Sequence, residues 1–185
     1  MTRADDYRRI FAYNRRVLEV YCRKLERLPW HVVSREREAG WHSIVGTFNH
    51  ILRVHDAWLN YVIQGELANP GMMRRTWSSL ESMKEIRASL EKTWAKIGSY
   101  LKRLTDRELR RIVRAEWQPK ACSVADALMQ VTFEQAHHTG EIIAMLWQDD
   151  VRPPEMTWLS TSWALKDLAR NEPSSRARRP RHRNA

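Results

Sequence analysis

Glu134 and His138 are ionisable residues in an otherwise apolar helical stripe of the sequence. A spacing of four places both side chains on one face of an α-helix, with Cβ atoms about 5 to 6 Å apart. Val131 and Ile142 fall on the same face. Because a buried carboxylate is costly unless it is paired or bound to a metal, this pattern predicts a compensating cation.

Two interpretations of the pair stay open from the spacing alone. Glu134 and His138 can bind one metal ion together, through bonds of about 2.0 to 2.2 Å. They can equally form an ordinary ionic or hydrogen-bonded pair, closing a buried polar network without a metal. The candidate third ligand is His50, which borders the apolar stripe of another predicted helix. Two imidazoles and one carboxylate leave a coordination position for water or substrate, as in catalytic sites.

The elements that must position these residues are helices. Apolar residues recur at every third or fourth position in four long segments, which predicts an all-α protein built as a four-helix bundle. The first segment covers about residues 4–28 and ends at Pro29. The second begins at Ser43, a favourable N-cap residue, and reaches about residue 63.

The third and fourth segments carry stronger start signals. The third is predicted to begin at Ser78, with Glu81 completing a capping box, and to reach about residue 101. The fourth begins after Ser123, with Asp126 at its third helical position, and ends near residues 149–154. Residues 105–122 form a connection long enough to cross the end of a bundle, and a shorter extra helix is predicted over about 156–170.

At these residues the sequence resembles the DinB family, also called the DinB/YfiT-like metalloenzymes. One block of the match is residues 43–52, SIVGTFNHIL, followed by DAWL at 56–59. The other is residues 134–143, EQAHHTGEII, where the family usually has His-x-x-His-His-x-Gly-Gln/Glu. The likeness covers roughly residues 7–165 and is strongest in these two blocks.

The resemblance implies an up-down-down-up bundle, often a homodimer, that binds one divalent metal ion. Carried over by position, the family's ligands fall on His50, Glu134 and His138, with Glu134 in place of the usual second His. A carboxylate there favours harder cations such as Zn²⁺, Mn²⁺ or Fe²⁺, and Ni²⁺ is a further candidate. The same departure is also consistent with a decayed site, in which Glu134 would pair with a nearby arginine.

Composition predicts one domain, residues 1–172, followed by a disordered basic tail, residues 173–185. The tail has five arginines and no acid, so it carries half of the formal net charge of +10. The N-terminus is rich in Arg and Asp, and no apolar run is long enough to span a membrane, so we expect a soluble, cytoplasmic protein. Cys22 and Cys122 lack any CxxC spacing, so a disulfide framework or Cys-based zinc site is not expected.

Two classes of function follow. The leading hypothesis is a metal-dependent hydrolase or thiol-dependent transferase acting on a small-molecule substrate or thiol, with His137, Glu141 or His55 as candidate general bases. The alternative is a non-catalytic, stress-related binding module that uses the tail on nucleic acid or another polyanion. Three tryptophans outside the core stripes are candidates for a pocket mouth or a dimer surface, namely Trp117, Trp158 and Trp163.

Overall fold

The computed structural model describes residues 2–66 and 81–160, and helices account for most of them. The prediction of an all-α protein is confirmed. Met1–Pro154 form one compact unit and Glu155–Ala185 a second. The predicted boundary at residues 172 and 173 lies outside the described residues. In the described ranges, no helix has both the length and the apolar character needed to cross a bilayer.

Helix α1 spans Arg3–Leu25 and begins with a capping box, in which Thr2 and Asp5 satisfy each other's backbone N–H groups. It ends at Leu25, a few residues earlier than its apolar pattern predicted. Pro29 then precedes a short helix α2, Trp30–Ser34, that the sequence pattern did not indicate. Proline suits this place because its fixed φ is compatible with the start of a helix.

Helix α3 spans Ile44–His55 and continues as a π-helical segment, Asp56–Ile63. The prediction of Ser43 as its N-cap is confirmed, since the hydroxyl of Ser43 accepts a hydrogen bond from the N–H of Gly46. His50 lies in the middle of α3, between the buried apolar residues Phe48 and Ile51. π-Helical segments are rare and occur frequently near functional sites.

Helix α4 spans Met83–Arg103, with Ser82 at its N-cap. The predicted helix included Glu81 and Ser82. Both residues precede α4, so the predicted start was wrong. The other half of the predicted capping box, Ser78, lies outside the described residues.

The connection between α4 and the last long helix has structure of its own. It contains a short helix α5, Asp106–Leu109, and two antiparallel strands, β1, Ile112–Val113, and β2, Cys122–Ser123. Helix α6, Val124–Gln148, follows directly, and its predicted capping box of Ser123 and Asp126 is confirmed. In the described part of the predicted fifth helix, only a 3₁₀ turn is present, at Trp158–Ser160. Residues 161–170 lie outside the described residues.

The four long helices pack around one core. Helix α1 contacts α4 and α6, and helix α3 also contacts both of them, with its most extensive packing against α6. All four of these helices contribute fully buried apolar side chains, among them Phe11, Phe48, Ile97 and Leu128. The pairing of α3 with α6 matters most for function, because it places His50 beside Glu134 and His138. The up-down-down-up order stays a prediction.

Candidate metal centre

His50 on α3 and the pair Glu134 and His138 on α6 meet where the two helices pack. Each residue offers one ligand atom, and these atoms lie within 4.8 Å of one another. Oε2 of Glu134 is 3.2 Å from Nε2 of His138. Two ligands of a tetrahedral ion with bonds of about 2.1 Å are about 3.4 Å apart, so this pair has suitable spacing. The structure thus brings together all three residues proposed from the sequence, and metal binding itself stays a prediction.

Both ring nitrogens of His138 lie against a carboxylate. Nε2 faces Glu134, and Nδ1 is 2.7 Å from Oε2 of Glu141. A neutral imidazole has one N–H, so it can donate to only one of these two oxygens. The other close approach would be stabilised by a second proton shared by the two groups or by a metal ion bound to Nε2 and Oε2. With a metal ion at Nε2, Nδ1–H would donate to Glu141, and the Nε2 lone pair would serve as the ligand.

The imidazole of His50 is held between two other rings. Trp41 stacks on it, with ring centroids 4.0 Å apart and planes inclined by 16°, and the ring of His138 meets it edge to face at 4.6 Å. Burial lowers the pKa of His50 to about 4, helped by the charges of His138 and Arg53 and opposed by Glu141. The ring is therefore neutral near pH 7, which is the form that binds metals.

The loop before α3 positions Trp41 through unusual backbone geometry. Gly40 has φ +53°, and a Cβ at this position would lie 2.6 Å from Oγ1 of Thr47 and 3.0 Å from Oε2 of Glu141. Thr47 also accepts a hydrogen bond from the N–H of Trp41. Only glycine combines this left-handed conformation with this close approach. Arg37, itself paired with Asp149 at the end of α6, anchors the earlier part of the loop.

Glu134 is more exposed than His138. Its side chain is 33% exposed, against 10% for His138, so the site opens to solvent on the Glu134 side. Its Oε1 accepts a hydrogen bond of 2.8 Å from the amide of Gln130, which leaves Oε2 directed at His138. Among the described residues, no arginine is recorded as a partner of Glu134. The pairing expected for a decayed site is therefore not observed in this part of the chain.

The remaining ionisable candidates divide into two groups. His137 is exposed, lies 3.4 Å from Oε1 of Glu141 and meets the ring of His138 edge to face, with centroids 4.9 Å apart. With His138 and Glu141 it forms a second possible set of ligands, which shares His138 with the first. His55 instead lies in the core, where its ring packs against Phe11 and Trp94. This placement does not support His55 as a general base.

Neither cysteine is a reactive thiol near the site. Cys22 is buried in α1, and this burial raises its pKa to about 11. Cys122 is less enclosed, but burial also raises the pKa of its thiol. Thiolates, not thiols, are the nucleophiles and metal ligands, so both residues are unreactive near neutral pH.

A pocket of about 200 Å³ opens beside His50. Its walls are mainly aromatic and apolar, and the residues that line it are Trp41, His50, Arg53, Val54, Ala57, Trp58 and Trp117. Trp117 lines this pocket, in agreement with one of the two roles predicted for it, and a dimer surface stays a prediction. Trp158, the second candidate, is 37% exposed on its 3₁₀ turn, and Trp163 lies outside the described residues. Trp41 was missed, because its role depends on loop geometry.

Comparison with known proteins gives two findings. The family model described as the DinB superfamily matches residues 11–142. A solved structure, a DinB-like protein from Bacillus cereus ATCC 10987, is similar with a TM-score of 0.59 and 18% sequence identity. The similarity covers 83% of this chain and 94% of the other. At this identity the likeness concerns the fold alone. No curated protein matches the sequence.

Proposed function

Because the chain belongs to the DinB superfamily, we propose that it binds one divalent metal ion through His50, Glu134 and His138 and acts as a metal-dependent enzyme. The observation that carries this proposal is the pair of carboxylates on the two nitrogens of His138. A neutral ring has one N–H for two oxygens, so a cation beside Nε2 would favour the second contact. His50, adjacent and neutral, would complete a set of three ligands for such an ion.

The surrounding residues prepare each ligand for this role. Oε2 of Glu141 lies 2.7 Å from Nδ1 of His138 and would stabilise a proton there, which would direct the Nε2 lone pair to the centre. Gln130 occupies one oxygen of Glu134 and leaves the other available. Trp41 stacks on His50 and limits its rotation. A divalent ion held there would act as a Lewis acid on an oxygen or sulfur atom of a substrate.

The donor set narrows the choice of ion. Two imidazoles and one carboxylate suit borderline and harder cations, so we propose Zn²⁺, Mn²⁺, Fe²⁺ or Ni²⁺ and not a soft ion such as Cu⁺. Three protein ligands and a partly exposed Glu134 leave room for substrate. This openness supports a catalytic site over a closed structural one.

The reaction we propose is hydrolysis or transfer to a thiol. The two cysteines of the chain, with their raised pKa values, are poor nucleophiles near neutral pH. In a thiol transfer, the thiol would therefore come from a second substrate. A small-molecule substrate reaching the ion from the open side fits either reaction.

The other expected partners stay predictions. A homodimer and a cytoplasmic location rest on the family resemblance and on composition. The alternative function, a binding module that contacts nucleic acid or another polyanion, depends on the arginines of residues 174–185, which lie outside the described residues. Deleting these residues separates the two functions, because polyanion binding would be lost and metal content would stay unchanged.

The test of the proposal is the metal content of untagged protein, measured by elemental mass spectrometry after loading with Zn²⁺ or Mn²⁺. We expect one equivalent in the wild type and its loss in His50→Ala and Glu134→Ala. His31→Ala, which removes an exposed histidine far from the site in sequence, is the matched control and should keep the metal.

Glu134→His separates an intact site from a decayed one. It restores the usual second ligand of the family and should keep one equivalent of metal. If only this variant binds, the wild-type site is decayed and the proposal fails. If neither protein binds any of the four proposed ions, the contacts of His138 are ionic pairs without a metal.

A further inference from the structure

A cleft of about 360 Å³ lies where the end of α1 meets the chain that follows α6. One wall comes from the last turns of α1 and the residues just after it, and the other comes from residues 152–154. All of these residues belong to the compact unit Met1–Pro154. Ligand pockets have volumes of about 300 to 1,000 Å³, so the cleft has room for a small molecule. The described residues that line it include none of the proposed metal ligands.

The α1 wall of the cleft carries three positive charges. Arg23 and Lys24 lie in the last turn of α1, and Arg27 lies in the turn that follows. We call these three residues the basic cluster. Arg152 also lines the cleft, but it has an interaction of its own, so the cluster does not include it. None of the described residues that line the cleft is acidic. A cleft lined by charges of one sign concentrates the electric field and attracts counter-ions, so it favours an anionic ligand.

The acidic residues next to the basic cluster are paired with other cations. Glu19 forms an ion pair of 2.8 Å with Arg15, and Glu26 forms an ion pair with Arg87 of α4. Arg23 adds only a weaker electrostatic interaction to Glu26. In the part of the chain that the structure describes, no acidic side chain forms an ion pair or a hydrogen bond with a residue of the basic cluster. The three charges are therefore available to a ligand.

The end of the helix accounts for only part of the basic cluster. Cations in the last turn of a helix interact favourably with its macrodipole, which explains Arg23 and Lys24, but this effect falls off within that turn. Arg27 lies two residues beyond α1. Because the three like charges on one wall repel one another, an anion bound among them would stabilise the arrangement.

The opposite wall is apolar and is held in place. The hydroxyl of Tyr21 donates a hydrogen bond of 3.1 Å to the carbonyl of Pro154. Burial raises the pKa of Tyr21 to about 12, so this hydroxyl keeps its proton near neutral pH. The N–H of Val151 donates to the carbonyl of Leu146 at 2.9 Å, which ties the same segment to the end of α6. Since Pro153 and Pro154 also have fixed φ angles, the wall exists before a ligand binds.

A phosphate group suits this cleft better than a carboxylate. Arginine binds phosphate through two parallel hydrogen bonds, and lysine adds a compact charge. A phosphate monoester carries a charge of about −1.5 to −2 at pH 7 and has three acceptor oxygens, whereas a carboxylate has one charge and two oxygens. Val20, Pro153 and Pro154 line the same cleft and offer an apolar surface to the organic part of a phosphate ester.

We propose that this cleft binds a phosphorylated small molecule. The basic cluster holds the phosphate group, and the organic part lies against Val20, Pro153 and Pro154. This site goes beyond the proposed metal centre and has no residue in common with it, so either site can exist without the other.

The test is calorimetric titration of the untagged, metal-free full chain at low ionic strength with phenyl phosphate, inorganic phosphate and phenol. Metal-free protein excludes binding of phosphate to an ion held by His50, Glu134 and His138. We expect phenyl phosphate to bind about three- to tenfold more tightly than inorganic phosphate, because its ring buries apolar surface. Phenol, which lacks the charge, should not bind measurably. Added salt should weaken the binding of both phosphates, because it screens the basic cluster.

Four variants of the full chain locate the site. Arg23→Gln and Arg27→Gln should each weaken phenyl phosphate binding about tenfold, because each removes a charged hydrogen-bond donor. Val20→Ala should weaken phenyl phosphate and leave inorganic phosphate unchanged. Arg16→Gln is the matched control, because it removes an exposed arginine of α1 two turns before the cleft, and it should bind like the wild type. All four variants keep the arginines of residues 174–185, so any binding by these is the same in each.

Urea unfolding of each variant shows whether the fold is intact. Absence of phenyl phosphate binding to the wild type, or equal binding to the wild type and Arg27→Gln, overturns the inference. Titration with single-stranded oligothymidylate tests a nucleic-acid surface instead. If the oligonucleotide binds, if Arg16→Gln and Arg27→Gln weaken it equally, and if phenyl phosphate does not bind, the inference fails in favour of that surface. Metal content of Arg27→Gln equal to that of the wild type would show that the two sites are separate.

Discussion

Nδ1 of His138 and Oε2 of Glu141 lie 2.7 Å apart within one turn of α6. A carboxylate at this position favours the tautomer that carries the proton on Nδ1, which leaves Nε2 to bind a metal. Glu141 is 29% exposed and does not belong to the proposed ligand set. Its effect on a bound metal would be exerted through His138.

Removing this contact should weaken metal binding without abolishing it. Glu141→Ala is expected to raise the dissociation constant for Zn²⁺ about ten- to hundredfold, as for other carboxylates behind a ligating histidine, with one equivalent still bound at saturation. Competition with a chromophoric chelator measures the constant. His137→Ala removes the other histidine that contacts Glu141, and its dissociation constant for Zn²⁺ should stay close to that of the wild type. Equal constants for Glu141→Ala and wild type would contradict this role for the carboxylate.

Gly40 should be required both for stability and for metal affinity. An alanine there would adopt a left-handed conformation, which costs about 1 to 2 kcal/mol, and its Cβ would overlap Thr47 and press on Glu141. The overlap should add about 1 kcal/mol or more, as for other overpacked positions. We therefore expect a lower free energy of unfolding in urea and a weaker affinity for Zn²⁺.

Gly65→Ala is the matched control for this prediction. Gly65 also has a positive φ, +68°, but a Cβ there would meet nothing within 4 Å. This variant should be destabilised only by the cost of the left-handed conformation, without the cost of overlap. It should bind Zn²⁺ like the wild type. If the two variants lose equal stability and neither affects the metal, the loop around Gly40 does not position the site.

The parts of the fold that sequence could predict are those governed by helical periodicity and caps. The apolar stripes place the long helices, and the side chains of Ser43 and Ser123 mark two helix starts because they bond the free N–H groups there. The same periodicity places Glu134 beside His138. It does not decide which neighbour Glu141 contacts, since residues three and four positions away are both within reach.

The missed features depend on tertiary structure. Helix α2 is only five residues long, too short for a periodic pattern, and the strands β1 and β2 have two residues each. The π-helical continuation of α3 has no sequence signature that distinguishes it from an α-helix. Trp41 reaches His50 through a loop with positive φ at Gly40 and His42, a path that no local propensity specifies.

Gly140 should be a site where stability can be gained. It lies in the middle of α6, it is exposed, and a Cβ there would meet nothing within 4 Å. Because glycine loses more backbone entropy than alanine in a helix, Gly140→Ala should raise the free energy of unfolding by about 0.5 to 1 kcal/mol. Urea unfolding measures this gain, and metal content should not change.

Gly98→Ala in α4 is a parallel case, since its Cβ also has open space. Both variants should gain similar stability if each glycine is merely a weak helix former. A loss confined to Gly140→Ala would reveal that this face of α6 is covered by something in solution, such as a second copy of the chain.

His55 should make the protein sensitive to mild acid. Complete burial lowers its pKa from 6.5 to about 4, partly offset by its hydrogen bond with the carbonyl of Ile51. Its Nε2 has no hydrogen-bond partner among the described residues. Between pH 6.5 and 4 the unfolded chain binds a proton at this histidine and the folded chain does not, so stability must fall as the pH falls through this window. Above pH 6.5 the contribution of His55 is complete and constant.

Urea unfolding of metal-free protein at a series of pH values measures this dependence. His55→Phe keeps an aromatic ring against Phe11 and Trp94 and removes the titrating group, so its stability should fall less steeply between pH 6.5 and 4. His50 has a similarly lowered pKa and titrates in both proteins, so the difference between them reports His55 alone. Parallel curves for the two proteins would mean that the His55 ring is reached by water or a proton donor in the folded state.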